Sequence, residues 1–187
     1  AAAPVPAALR ERFRGLLLGL AAGDALGQPL LHRRPGSFTP VGDLLGGGPF
    51  DLPRGAWSDE TAMALCLAES LTQAGLDLGD QVARYARWQR LGENSSTGQC
   101  VGISAATARA LAQAQWTGQP HAGSHDPARA DKEPLARIGP AVAAHLYDPR
   151  DAIEAAGECA RGTHQAPGTL DAVRYFAALL ARALQGA

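Results

Sequence analysis

The chain has 187 residues, 46% of them hydrophobic and only 5% aromatic, with a formal net charge of −1. Such a length and apolar content support one domain over residues 1–187, with a core built mainly from Leu, Ala and Val. The charge balance excludes the basic footprint that nucleic acid requires, and no run is apolar and uncharged for long enough to span a membrane.

Phe13, Leu16, Leu17 and Leu20 follow helical spacing and predict a first helix that ends near Gly27, ahead of Pro29. Gly15, Gly19 and Gly23 recur every fourth residue along one side of it. Glycine inside a helix costs about 1 kcal/mol against alanine. The row therefore predicts close approach by a neighbouring backbone and a buried core helix that carries Asp24, read as a structural group. The segment Leu31 to Arg54, rich in glycine and proline, reads as a long irregular loop.

A second helix is predicted from Ser58 to Ala74, and a third from Asp80 as N-cap through VARYARWQR. A glycine- and serine-rich turn leads to a helix over Ser104 to Trp116, with Ala105, Ala108 and Leu111 as its packing face. Gly118 to Pro134 reads as a second loop. Helices follow over Ile138 to Leu146, Asp148-Pro149 to Arg161 and Thr169 to Leu184, with Pro149 at a favoured first helical position. No sustained alternation of β-branched residues occurs, so the fold class is all-α. Trp57, Trp88 and Trp116 lie on separate segments and read as core filler.

The most telling run is Gly55-Ala56-Trp57-Ser58-Asp59-Glu60-Thr61, where a loop turns into a helix. Two readings fit it. Ser58 is a good N-cap, and Asp59 and Glu60 complement the positive end of the helix dipole. The same three oxygen side chains also supply one side of a Mg²⁺ shell, since Mg²⁺ takes oxygen ligands and often only one or two carboxylates.

A helix ending in Gly-Asp-Ala-Leu-Gly, followed by a loop and then GAWSDET, resembles the ADP-ribosylglycohydrolase family. Its motifs continue in order: TGQCVGIS from Thr97 to Ser104, ARIGPAVA from Ala136 to Ala143, and the Thr163-His164 pair. The resemblance implies a compact orthogonal helical domain. It also implies Mg²⁺-dependent hydrolysis of the C1″ glycosidic bond of ADP-ribosylated protein or an ADP-ribose derivative. Ser58, Asp59 and Glu60 would then be metal ligands, with Asp59 also in the catalytic role. Gly98 and Gly102 would let a backbone approach a diphosphate, and Ser124 and His164 would contact the substrate.

The sequence departs from the family's pattern at four places. Glu60 replaces a usual aspartate. Leu31 stands where many relatives place a glutamate near the scissile bond. Charged residues occupy Asp131 to Pro134, where better-known relatives carry a glycine-asparagine-glycine-serine run. The closing D-x-D-T motif does not occur, so half of the two-Mg²⁺ ligand set is present, as in a fragment or a shortened member.

These departures keep a second reading open, a catalytically inactive ADP-ribose-binding module. No Cys/His spacing supports a zinc site. Cys66, Cys100 and Cys159, odd in number and widely spaced, predict reduced thiols and a cytoplasmic setting.

Overall fold

The computed structural model describes residues 5–186 and places eight α-helices there. They are α1 (Ala7–Gly27), α2 (Asp59–Gln73), α3 (Leu78–Leu91), α4 (Ala105–Thr117), α5 (Glu133–Arg137), α6 (Gly139–Ala144), α7 (Pro149–Ala160) and α8 (Pro167–Gln185). No strand occurs among the described residues, only two isolated bridges, so the fold is all-α as expected. No helix is long and apolar enough to cross a membrane among these residues.

Helix α2 is the axis of the interior. Its Leu67 belongs to a cluster with Ile138, Val142, Ala156, Val173 and Ala177, while its Met63 and Cys66 join Val82, Tyr85, Trp88 and Leu111 on the other side. A helix apolar on both flanks gains burial from two directions, at about 25 cal/mol per Å² of apolar surface removed from water. Small residues let α7 and α8 lie close, with Ala152, Ala156 and Ala160 facing the cluster that holds Val173, Ala177 and Ala181. That packing fixes the turn between them, which carries Thr163 and His164.

Several expectations change. Helix α1 ends at Gly27 as predicted, but Ala25 alone is buried along it. Gly15, Gly19 and Gly23 are exposed and have no neighbouring atom where a side chain would stand. Glycine spacing reports room for a neighbour, and among the described residues none fills it. Helix α3 starts earlier than predicted, because Asp77 rather than Asp80 accepts from the backbone N–H of the first turn, at 3.0 Å. Asp80 instead accepts from Arg84.

Of the predicted face of α4, Leu111 is buried but Ala105 and Ala108 are not; Thr107, Ala110 and Ala114 complete the buried side. Trp116 is 84% exposed and fills no core, whereas Trp88 is fully buried. The predicted Ile138 to Leu146 helix is the shorter α6, preceded by the separate turn of α5 inside what reads as loop. The three thiols are free, with Cys66 and Cys159 buried and Cys100 half-buried.

Candidate metal centre and adjoining pocket

Ser58 occupies the N-cap position of α2, yet its side chain makes no cap hydrogen bond. The first turn is capped from another helix. Asp24, in the last turn of α1, accepts from the backbone N–H of Ser58 (3.0 Å) and of Thr61 (3.2 Å) and from the Thr61 hydroxyl (2.8 Å). Its other oxygen accepts from the Ser58 hydroxyl at 2.6 Å and from Gln28 Nε2 at 2.8 Å. A carboxylate across the open end of a helix satisfies orphan donors and meets the positive dipole. Asp24 is therefore structural, as the sequence suggests, and its place is directly beneath the acidic run.

Ser58 and Asp59 are buried, and Glu60 is half-buried. Glu60 turns back so that its Oε2 lies 2.8 Å from Ser58 Oγ, which brings the extra methylene into the cluster rather than away from it. Burial, and then the adjoining Glu60 carboxylate, push the Asp59 carboxyl up to about 8. Two carboxylates forced together out of water cannot both ionise at ordinary cost, so the pair retains a proton at neutral pH. A divalent cation would relieve that repulsion, and a donor set made only of oxygen suits Mg²⁺. Ser58, Asp59 and Glu60 fit the ion that the family resemblance implies.

The loop before α4 closes over this cluster. Gly102 has a φ of +84°, and a Cβ there would overlap Asp59 Oδ1. This glycine thus sets where the Asp59 carboxylate can stand. Gly102→Ala is expected to lower stability by about 1–3 kcal/mol through backbone strain and to weaken Mg²⁺ binding at least tenfold. Thermal unfolding and calorimetric titration would check both, and an unchanged Mg²⁺ affinity would show that the close approach does not position the carboxylate. Gly98 also has a positive φ, +76°, but nothing lies near its missing side chain.

Glu60 opens on a cleft of about 430 Å³, shared with Gly19, Gly23, Asp24, Gln28 and Leu31. Gly19 and Gly23 of the exposed glycine row line this cleft. Leu31 stands in the same cleft as Glu60, so an apolar side chain occupies a position facing the acidic cluster.

Two residues beyond Gly102, the Ser104 hydroxyl donates to Glu133 Oε2 at 2.5 Å, and Thr107 Oγ1 donates to Glu133 Oε1 at 2.6 Å. Arg137 reaches the same carboxylate at 3.3 Å and also donates to the Thr163 hydroxyl. Burial works against ionisation of Glu133, yet Arg137 and the two hydroxyls hold its carboxyl below the ordinary value. Burial first, and the Arg137 guanidinium second, hold His164 below its ordinary value. Gly102 against Asp59 and Ser104 against Glu133, two residues apart on one loop, set the two clusters beside each other.

The structure brings Ser124 and His164 side by side. They form a bridge, the Gln165 N–H donates to the Ser124 carbonyl at 3.1 Å, and a Cβ at Gly123 would overlap the His164 backbone. Both line a pocket of about 210 Å³ with Arg109, Arg129 and Thr163. The four residues singled out for substrate thus divide into two pairs: Ser124 and His164 share this pocket, and Gly102 abuts the metal candidates while Gly98 lies further along the same loop. The sequence reading missed Glu133 and Arg137 as a site pair. Their i, i+4 spacing in EPLAR was the signal available, since such pairs share a helix face.

The ADP-ribosylglycohydrolase family model matches residues 5–187. An ADP-ribosylarginine hydrolase, Tri1, of Pseudomonas putida is 36% identical over 95% of this chain and 48% of its own length. Its counterpart in Serratia proteamaculans is 35% identical over 94% of this chain and 48% of its own length. A solved structure titled "ADP-ribosylglycohydrolase-related protein complex" superposes with a TM-score of 0.80 at 42% identity, over 95% of this chain and 57% of that one. The chain spans about half the length of the curated relatives it matches. An all-α fold, an acidic helix start capped from a neighbouring helix and a match over nearly every residue together mean that this chain belongs to the ADP-ribosylglycohydrolase family.

Proposed function

We propose that this chain, acting as one helical unit, carries one side of a Mg²⁺-dependent centre that hydrolyses the C1″ glycosidic bond of an ADP-ribosylated protein, with ADP-ribosylarginine as the favoured linkage. The observation that carries this reading is the buried Ser58-Asp59-Glu60 cluster, in which the Asp59 carboxyl is pushed up to about 8 beside a second carboxylate. The names of the relatives support arginine as the modified residue.

Glycosidic cleavage passes through an oxocarbenium-like state, which needs the ribose held in place and a water directed at C1″. Bound Mg²⁺ would supply polarisation of ribose hydroxyls and activation of that water. The chain's own residues do the rest. Asp59 and Glu60, ionised when the ion is bound, would hold it, and Asp24 keeps both at the end of α2. Ser124 and His164 line the wall of the 210 Å³ pocket, where a ribose or phosphate group would rest. Arg109 and Arg129 give that pocket positive charge, suited to a diphosphate.

The test is release of ADP-ribose from an ADP-ribosylarginine peptide, run with and without Mg²⁺. Release that depends on Mg²⁺ and vanishes in Asp59→Asn supports the proposal. Release that is indifferent to Mg²⁺ overturns it.

Leu31 favours a second reading, that of a module which binds ADP-ribose without cleaving it. It is 39% exposed in the cleft beside Glu60, where it can neither move a proton nor hold a water. Leu31→Glu is expected to raise kcat at least tenfold with little change in KM, the range that a positioned acid–base group supplies. Binding of ADP-ribose with no turnover in either wild type or Leu31→Glu would favour the binding module.

A further inference from the structure

We propose that Asp131, Glu133 and His164 form a second cation site, which takes a borderline transition-metal ion of the Zn²⁺ class and is separate from the oxygen-only cluster at Ser58, Asp59 and Glu60. One ligand atom from each of the three lies within 4.8 Å of the others. The two inner ligands are already at metal-ligand spacing. His164 Nε2 stands 3.5 Å from Glu133 Oε2. Ligands around a tetrahedral zinc, each about 2.0–2.2 Å from the ion, stand roughly 3.4 Å apart. Asp131 is exposed and closes the triad from the solvent side.

The histidine supplies an independent observation. His164 is only 4% exposed, and its Nε2 has no hydrogen-bond partner. A buried polar atom without a partner is uncommon and calls for an explanation. Its other nitrogen is engaged: Nδ1 lies 2.9 Å from the Thr163 hydroxyl oxygen. That oxygen also accepts from Arg137 and lies 3.5 Å from the Ala160 carbonyl. The ring is thereby held through Nδ1, and Nε2 is directed toward the Glu133 carboxylate. Holding the ring through its second nitrogen is how proteins orient a histidine for a metal.

The remaining groups are compatible with an ion. Arg137 and the Thr107 hydroxyl contact Glu133 through Oε1, while Oε2 accepts from the Ser104 hydroxyl and also lies 3.5 Å from His164 Nε2. The backbone of Asp131 is held at both ends by Thr169, whose hydroxyl accepts from its N–H at 2.8 Å and donates to its carbonyl at 2.9 Å. The Asp131 carboxylate accepts from the Glu133 N–H at 3.0 Å, which keeps it on the side of the triad. One imidazole with two carboxylates suits Zn²⁺ or Co²⁺ better than Mg²⁺, which prefers oxygen and retains its waters. Because His164 also lines the pocket with Ser124, an ion held there would stand at that pocket's edge, beside the place proposed for a ribose or phosphate.

Cobalt(II) provides the test, because its visible absorption reports coordination geometry and nitrogen ligation. The full chain would be titrated with Co²⁺ in the presence of excess Mg²⁺, which occupies oxygen-only sites. One equivalent is expected to bind with an intense tetrahedral band. Asp131→Ala and His164→Ala are each expected to weaken Co²⁺ binding at least tenfold and remove the band, whereas Asp59→Asn keeps it. Asp131 is exposed, so its variant tests the site even if His164→Ala fails to fold. No band in the wild-type chain, or a band that survives Asp131→Ala, or one lost in Asp59→Asn, would overturn the assignment.

Discussion

Replacing Asp24 by alanine is expected to lower the stability of the chain by about 3 kcal/mol and to abolish Mg²⁺ binding at the start of α2. The carboxylate accepts from Ser58 twice, from Thr61 twice and from Gln28 once. Ser58, Thr61 and Gln28 are all buried, at 3%, 4% and 5% exposure, so the lost acceptor can be replaced only by water entering from the cleft. A lost cap contributes about 1 kcal/mol and each stranded buried donor about 1–3 kcal/mol, with relaxation absorbing part of the sum. Asp24→Asn keeps the shape but turns one oxygen into a donor facing other donors, so it is expected to fall between wild type and alanine. Urea unfolding and Mg²⁺ calorimetry read both consequences. A loss under about 0.5 kcal/mol, as for a plain surface change, would mean that Asp24 does not hold the acidic run in place.

Asp59→Asn is expected to do the opposite to stability while destroying the same binding site. The Asp59 carboxyl is raised from 3.8 to about 8, by burial first and Glu60 second. A raised folded-state value means that the folded chain binds the proton more tightly than the unfolded chain. Its stabilising contribution is complete below about 4 and is lost as pH rises through about 8, with a slope of at most about 1.4 kcal/mol per pH unit. Without Mg²⁺, wild type should therefore lose stability between about pH 4 and 8 more steeply than Asp59→Asn does. At pH 8 the variant should be the more stable protein. Saturating Mg²⁺ should stabilise wild type and leave the variant unmoved. Parallel pH profiles of unfolding for the two proteins would remove Asp59 from the account of the centre.

The same acidic run shows what a sequence does and does not disclose. Helix α2 was legible because capping residues, first-turn acids and a long apolar segment all agree, and its bounds match to within a residue. The partner of that cap was not legible. Asp24 lies 34 residues before Ser58, and no local pattern states that a carboxylate closing one helix will close the start of another. Glycine spacing on α1 was read as burial because the cost of glycine in a helix demands a reason. The reason is not visible among the described residues, and Gly19 and Gly23 line a cleft instead.

Glu133 and His164 lie too far apart for any ligand-spacing rule to pair them, so a search by Cys/His intervals finds no zinc signature. Trp116 fails for another cause. Its position on α4 turns on a rotation of the helix that small residues such as Ala105, Ala108 and Ala110 do not fix, since alanine serves equally on either face.

The long loop after α1 has one property that bears on how such a protein changes over time. Gly48 sits so tightly on the Gln28 carbonyl that a Cβ there would overlap it, and Gly47 pairs with Leu52. Residues 31–45 therefore leave the body and return to it at nearly the same point. Insertions into such an excursion are thermodynamically cheap, about 0.6 kcal/mol for each doubling of its length. Such a stretch can be lengthened, shortened or recomposed at little cost, while the acidic helix start stays where it is.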